Sequence, residues 1–372
     1  MAVIGVVGVG AMGLGIAQVY AQAGFSVYAT DTQEGARASA LSRLQDGLQP
    51  RVDAGKMSAE AMQAILSAIT ITNRPEDFAA PDLIIEAIIE DLAIKQALLA
   101  RLERSFPGAI VATNTSALSV TLLSRGMHKP GHLVGLHFFN PAPVMRLVEL
   151  VTHPKASKAA LSRAEDLTTA AGKTVIRCAD TPGFIVNRCA RPYYGEALAM
   201  VTEGRWPSEI DAAMLAAGYR MGPFTLIDLI GADINLAATE GMSRAMGGNP
   251  RYHVFGLLRE QVAKGDLGRK SGRGFLFPGA PEAAPADAEW IVTRIESTLV
   301  NEAASLVESG GATAEDIDSA MKLGLNFPRG PFESARVRGI PLILKTLAQL
   351  EARAPAPLKG RYVASPVLAA MA

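Results

Sequence analysis

The chain has 372 residues, room for two or three domains that each bury a core. Its residues are 49% hydrophobic and 19% charged, which excludes a disordered chain, and Lys+Arg balances Asp+Glu at 36 each, which excludes the basic footprint of a nucleic-acid binder.

Val3–Val7 is a short apolar run of the kind that forms a buried parallel strand, and no basic segment precedes it, so the N-terminus does not read as a signal peptide. Gly8-Val9-Gly10-Ala11-Met12-Gly13 follows at once. Residues 14–23 then carry helical spacing up to Gly24, and residues 26–31 form a second strand closed by Asp31. A lone G-x-G-x-x-G is a weak signal. Between a strand and a helix, with an acid about 20 residues on, it marks a dinucleotide fold. Gly8 permits the tight turn, Gly10 lets the backbone approach a pyrophosphate, and Gly13 lets the helix pack close to the strand. The helix start at Ala11 and Met12 offers N–H groups to phosphates. Asp31 accepts hydrogen bonds from ribose hydroxyls, and because Thr32 and Gln33 follow it in place of an arginine, NAD is expected over NADP.

Residues 35–71 read as an inserted helical pair carrying Arg43, Arg51 and Lys56. Arg51 and Lys56, with Arg43, are candidates for the phosphates of a large anionic substrate; a solvated basic face is the plainer alternative. Strands are predicted over 82–87 and 109–113, with a helix over 92–106 between them. Thr113-Asn114-Thr115-Ser116 therefore lies where a strand runs out, the edge at which open α/β sheets hold their ligands. Glu86 and Glu90 follow the preceding strand and Lys95 lies on the next helix. Taken singly, each of these three reads as a solvated surface charge; taken with the crevice, Glu90, Lys95 and Asn114 are cofactor-binding candidates.

Residues 132–139 and 144–151 read as two strands, with a stretch rich in turn formers between them. His137 and Glu149 lie symmetrically about Pro143, so a hairpin turning there sets them opposite each other, with Cβ atoms roughly 4.5–5.5 Å apart. A carboxylate at that range fixes the imidazole tautomer and makes a general base. A structural ion pair is the alternative.

After Asp180-Thr181-Pro182 the character changes from alternating strands to helices. Residues 183–203 read as one long helix, on which Asn187 is polar in an apolar setting and needs a partner: a neighbouring helix or the substrate. The pattern then returns. Phe184-Ile185-Val186-Asn187-Arg188 is echoed by Trp290-Ile291-Val292-Thr293-Arg294, Glu196 by Glu302, Ile210-Asp211 by Ile317-Asp318, and Gly222-Pro223-Phe224 by Gly330-Pro331-Phe332. Matches in one order at a nearly constant offset indicate a duplicated helical unit, joined by the Pro/Ala linker at 278–285. Thr293 replaces Asn187 in the second copy, which is expected to be structural. The expected architecture is an α/β Rossmann-type N-terminal domain over 1–181 followed by two tandem all-α domains, 182–277 and 289–372. The two cysteines, Cys178 and Cys189, suit a reducing cytosol, and no apolar stretch reaches the length that spans a bilayer, so a cytoplasmic protein with no membrane partner is expected.

Together these residues resemble the NAD-dependent 3-hydroxyacyl-CoA dehydrogenase family, of the 3-hydroxybutyryl-CoA dehydrogenase type. The family's G-x-G-x-M-G-x-G-I-A loop stands at 8–17, its N-T-S at 114–116, its H-F-F-N-P-x-P at 137–143, the acid of its V-E-L at Glu149 and its G-F-x-x-N-R at 183–188. The resemblance implies NAD as cofactor and reversible oxidation of a 3-hydroxyacyl-CoA to the 3-oxoacyl-CoA. It implies that His137 is the catalytic base, that Glu149 orients it, and that Ser116 and Asn187 contact the reacting substrate. Single-copy members dimerise through the helical domain. Tandem copies therefore imply an internal pseudo-dimer, in a chain that is itself a monomer or a homodimer. Two alternatives stand beside this reading. A dehydrogenase of a free 3-hydroxy acid, gulonate- or carnitine-like, would dispense with the CoA groove. A non-catalytic NAD(H)-binding protein has no need of Ser116, His137, Glu149 and Asn187 together. These motifs do not set the acyl chain length or decide whether the acyl group ends in a second carboxylate, and residues 352–372 either wrap the third domain or fray.

Overall fold

The computed structural model describes residues 2–371. They form two compact units that meet in sequence between Asp180 and Thr181.

The first unit is built on eight strands: β1 (Val3–Val7), β2 (Ser26–Thr30), β3 (Ile69–Ile71), β4 (Leu83–Glu86), β5 (Ile110–Thr113), β6 (Leu133–Phe138), β7 (Leu147–Thr152) and β8 (Thr174–Ala179). They lie side by side in the order β3-β2-β1-β4-β5-β6-β7-β8, all pairs parallel except β6 with β7. Helices cover both faces of such a sheet, which is why its strands are continuously apolar. Ile4, Val6, Val27, Ala29, Leu83, Ile85, Ala112 and Val134 are all buried. Chain order reverses between β1 and β4, so the loops leaving these two strands flank a crevice at the carboxyl edge of the sheet.

One expectation changes here, and two elements are added. Residues 35–71 hold a short helix, Glu34–Ala38, and two longer ones, Ala40–Asp53 and Ala59–Ser67, but their last three residues leave the helix and pair with β2 as an edge strand. The β-branched run Ile69-Thr70-Ile71 favours that pleated edge over a further helical turn. The helix Lys158–Ala170 and strand β8, which sequence reading did not place, complete the sheet beside β7.

The second unit is helical. The helix expected over 183–203 is interrupted: Val186–Cys189 is followed, after Ala190, by Arg191–Thr202. Phe184 takes a positive φ of 50°, which delays the start, and Pro192 lacks the N–H that would carry the helix through. The matching segment of the second copy has no proline and runs unbroken as Ala288–Glu308.

The repeated residues turn out to be physically coupled. Asp211 accepts the N–H groups of Phe224 (2.9 Å) and Thr225 (2.7 Å), and Asp318 accepts those of Phe332 (2.7 Å) and Glu333 (3.0 Å). Each aspartate thus caps the helix that starts at the proline of a Gly-Pro-Phe, satisfying N–H groups that have no partner within their own helix. A Cβ at Gly222 would lie 2.2 Å from the Asp211 carboxyl carbon, so the glycine admits the cap. Burial pushes the Asp211 carboxyl up to about 6 against the pull of those N–H groups.

The two repeated glutamates exchange partners. Glu302 of the second copy receives Arg188 (2.7 Å) and the Tyr252 hydroxyl (2.5 Å) from the first, with Arg251 at 3.5 Å. Glu196 of the first copy receives Arg294 (2.6 Å), the Tyr362 hydroxyl (3.1 Å) and Arg361 (3.2 Å) from the second. Tyr219 and its counterpart Phe327 meet edge to face at 4.9 Å. The C-terminal residues therefore wrap rather than fray: Val363 O accepts from the Asn301 amide at 3.0 Å, and Ser365 N–H donates to the same side chain at 2.8 Å.

Candidate active site

The crevice between β1 and β4 is shaped by its glycines. Gly8, at φ +99°, ends β1; a Cβ there would sit 2.6 Å from Ala87 O in the loop after β4. A Cβ at Gly13 would come within 1.8 Å of Gly8 O, so only glycine lets the helix Ala11–Gln22 start this close to the strand. Gly10 is its N-cap, and Ala11 and Met12 form its first turn. Asp31, just past β2, is held by the N–H groups of Val9 and Gln33, both at 2.9 Å. Arg37, which the spacing argument did not place here, reaches back to the Asp31 carbonyl at 2.7 Å. Arg43 donates to Val9 O at 2.8 Å, tying the helical insert to the glycine loop, whereas Arg51 and Lys56 are exposed on that insert.

The other wall begins with a correction. Glu86 and Lys95 are not solvated surface charges: Glu86 is wholly buried and Lys95 is 1% exposed. Lys95 Nζ lies 2.5 Å from Glu86 and 3.2 Å from Glu90, bridging two carboxylates. Unpaired, so buried an ammonium would be strongly destabilising. Glu86 also accepts the Thr113 hydroxyl (2.8 Å) at the end of β5. Glu90 accepts the Thr115 hydroxyl (2.5 Å) and the N–H groups of Ser116 (3.0 Å) and Ala117 (3.2 Å). Burial alone would push the Glu90 carboxyl up, but Thr115, Lys95 and the Ser116 N–H outweigh it and hold it below the ordinary value. At its far end the same segment is gripped by Asp180, which accepts the Ser119 hydroxyl (2.7 Å) and the N–H groups of Val120 (3.0 Å) and Thr121 (2.7 Å). Two carboxylates therefore bracket the stretch carrying Ser116. Sequence reading missed Thr115 and the tethering role of Asp180; the only available signal was a run of hydroxyl residues between two strands.

The hairpin pairs as its symmetry about Pro143 predicts. His137 on β6 stands opposite Glu149 on β7, and His137 Nδ1 lies 2.6 Å from Glu149 Oε2. Both side chains are buried, at 6% and 0% exposure. A carboxylate bonded at Nδ1 fixes the tautomer with its hydrogen there and places the basic lone pair on Nε2. Asn114 Oδ1 accepts the Phe138 N–H at 2.9 Å, which locks the end of β5 to the residue after His137. Lys173 holds the turn by donating to the carbonyls of Ala142 (2.5 Å) and Met145 (2.8 Å), and burial keeps its ammonium below the ordinary value. Asn187 belongs to the second unit, half-buried on the short helix Val186–Cys189, where its carbonyl accepts from Arg191 Nε at 3.0 Å.

Comparison with known proteins decides the family. Residues 3–181 match the family model described as 3-hydroxyacyl-CoA dehydrogenase, NAD binding domain, and residues 183–277 and 290–372 match the model of its C-terminal domain. The chain belongs to the 3-hydroxyacyl-CoA dehydrogenase family. It is accordingly an NAD-dependent oxidoreductase that interconverts 3-hydroxyacyl-CoA and 3-oxoacyl-CoA. Among relatives within the family, the 3-hydroxyadipyl-CoA dehydrogenase of Escherichia coli is 32% identical, with 94% of this chain and 93% of that one covered. The 3-hydroxybutyryl-CoA dehydrogenase of Mycobacterium tuberculosis is 38% identical but covers 73% of this chain. A crystal structure of 3-hydroxybutyryl-CoA dehydrogenase from Escherichia coli superposes with a TM-score of 0.93 at 30% identity, covering 100% of this chain and 98% of that chain. Among the described residues no helix is long and apolar enough to cross a membrane, and no cluster of side chains has the make-up of a metal site.

Proposed function

We propose that His137 is the general base of this dehydrogenase, that Glu149 orients it, and that Ser116 and Asn187 hydrogen-bond the reacting oxygens of the acyl-CoA. The observation that carries this reading is the 2.6 Å bond between two buried side chains, with the imidazole fixed by its carboxylate. His137 Nε2 takes the proton of the C3 hydroxyl as the alcohol becomes a ketone. Glu149 holds the ring and stabilises the imidazolium that results. Ser116 and Asn187 stabilise the charge that develops on oxygen. NAD, when bound, supplies the hydride acceptor.

Gly8, Gly10, Ala11, Met12 and Gly13 fit its pyrophosphate, as the tight turn at a helix N-terminus indicates, and Asp31 fits its ribose. Glu90, Lys95 and Asn114 edge the same crevice and keep the loop that bears Ser116 in place. Arg51 and Lys56, exposed on the insert, are the cations available to CoA phosphates. The domains divide as 1–181, 182–277 and 289–372, supported by the double match to one C-terminal family model. The last two form an internal pseudo-dimer: the exchange of arginine and tyrosine partners between Glu196 and Glu302 is the reciprocity of a two-fold interface. A cytoplasmic setting suits two buried cysteines that lie on separate units.

The test is NADH consumption with acetoacetyl-CoA. The wild type should turn over, and His137→Ala should lose about 10²–10⁴ in kcat while NADH binding stays near normal. Near-normal turnover of that variant would remove His137 from the role.

A further inference from the structure

Four arginines are buried among the described residues of the second unit: Arg188, Arg191, Arg294 and Arg361. Three of them face a glutamate, Arg188 with Glu302 and both Arg294 and Arg361 with Glu196. Arg191 differs. It is 8% exposed, yet no carboxylate of the described residues lies within ion-pair distance. Its Nε donates to Asn187 O at 3.0 Å, one Nη1 hydrogen goes to the Thr239 hydroxyl at 3.2 Å, and its guanidinium sits 5.0 Å from the centre of the Tyr194 ring. Two of five N–H donors are thereby engaged. Burial pushes the guanidinium below its ordinary value, with only Tyr194 opposing; at Arg188 and Arg294 burial acts the same way but the glutamates outweigh it. One turn before Thr239 on the same helix, Asn235 is 2% exposed and its side-chain carbonyl has no hydrogen-bond partner. Arg191 therefore has guanidinium N–H groups without an acid partner, and what it lacks is an anion; the Asn235 carbonyl, an acceptor, calls for a donor instead.

Its position says which anion. Arg191 lies four residues beyond Asn187, across the break between the two helices, and its Nε bonds the Asn187 carbonyl at 3.0 Å, so its guanidinium stands beside that residue. On the reading above, which this inference rests on, Asn187 touches the reacting end of the acyl group. In a six-carbon diacid the far carboxyl carbon is three bonds of about 1.5 Å from C3, a span on the order of 4–5 Å that suits a cation held beside Asn187. We propose that Arg191 reads the far end of the acyl chain, pairing with a second carboxylate, so that the preferred substrates are 3-hydroxyacyl-CoA thioesters of short dicarboxylic acids. A planar guanidinium suits this task because its parallel N–H groups match both oxygens of a carboxylate. A methyl terminus would leave the buried cation unmatched, which disfavours the neutral chain.

The experiment compares 3-oxoadipyl-CoA with 3-oxohexanoyl-CoA, equal in chain length and different only in the terminal group, as NADH oxidation read as kcat/KM. The wild type should prefer the carboxylated thioester by at least about tenfold, the worth of a hydrogen bond to a charged group. Arg191→Met should bring that ratio close to one, and Arg191→Lys, with charge but no fork, should leave it in between. Equal use of both thioesters by the wild type would overturn the assignment with no variant required. So would a preference that survives in folded Arg191→Met. Turnover of neither thioester by the wild type would instead overturn the dehydrogenase reading beneath it.

Discussion

His137 shows how much a single side chain depends on the one across from it. An imidazole on a buried strand is ordinary core material until a carboxylate fixes its tautomer, and the antiparallel register of β6 and β7 sets Glu149 there. Asp31 makes the complementary case in the nucleotide crevice. Its two oxygens already accept Val9 and Gln33 N–H groups, so its orientation is set before any ribose arrives. Asp31→Ala should therefore raise KM for NAD by about tenfold, the worth of a charged hydrogen bond, and leave KM for the acyl substrate close to the wild-type value. Initial-rate kinetics with each substrate varied in turn would check this; equal effects on both would count against the ribose role.

Among the elements, the helix Ala288–Glu308 and the broken pair Val186–Cys189 and Arg191–Thr202 are fastened by ion pairs that are almost completely buried. Such a pair is poor evidence of net stability, since both charges were taken out of water, but removing one member strands the other. Arg294→Met should destabilise the second unit by about 2–3 kcal/mol in denaturant unfolding, because Glu196 loses its nearer cation and keeps Arg361 at 3.2 Å. Adding Glu196→Gln to that variant should recover part of the loss, and an exact sum of the two single effects would show that the pair is not coupled. The interrupted helix in the first copy follows from Pro192, and the unbroken one in the second from its absence.

At the scale of the whole molecule, stability should carry a pH signature from Asp211. Its folded value of about 6 stands above the ordinary 3.8, so the aspartate favours folding when protonated, below about pH 4, and that contribution is lost as pH rises through about 6. The difference amounts to roughly 3 kcal/mol at neutral pH. The gap in unfolding free energy between wild type and Asp211→Asn should shift by about that much between pH 4 and pH 7, the wild type losing ground. A gap independent of pH would mean that the carboxyl titrates normally.

The amino-acid sequence by itself determined the parts that rest on local rules. A glycine loop between a strand and a helix, an acid after the second strand, a hairpin symmetric about Pro143 and a duplicated set of helical residues were all legible, because period, turn chemistry and spacing act over a few residues. Tertiary structure alone decided the rest. Glu86 and Lys95 look like solvated charges in sequence, and only the fold brings Glu90 and a strand end close enough to bury them as a pair. The duplicated glutamates look like two copies of one residue, and only the packing of copy on copy makes each the partner of the other's arginine. Nothing in the neighbours of Arg191 marks it as a cation without an acid, since charge matching is settled by distance through space and not by position along the chain.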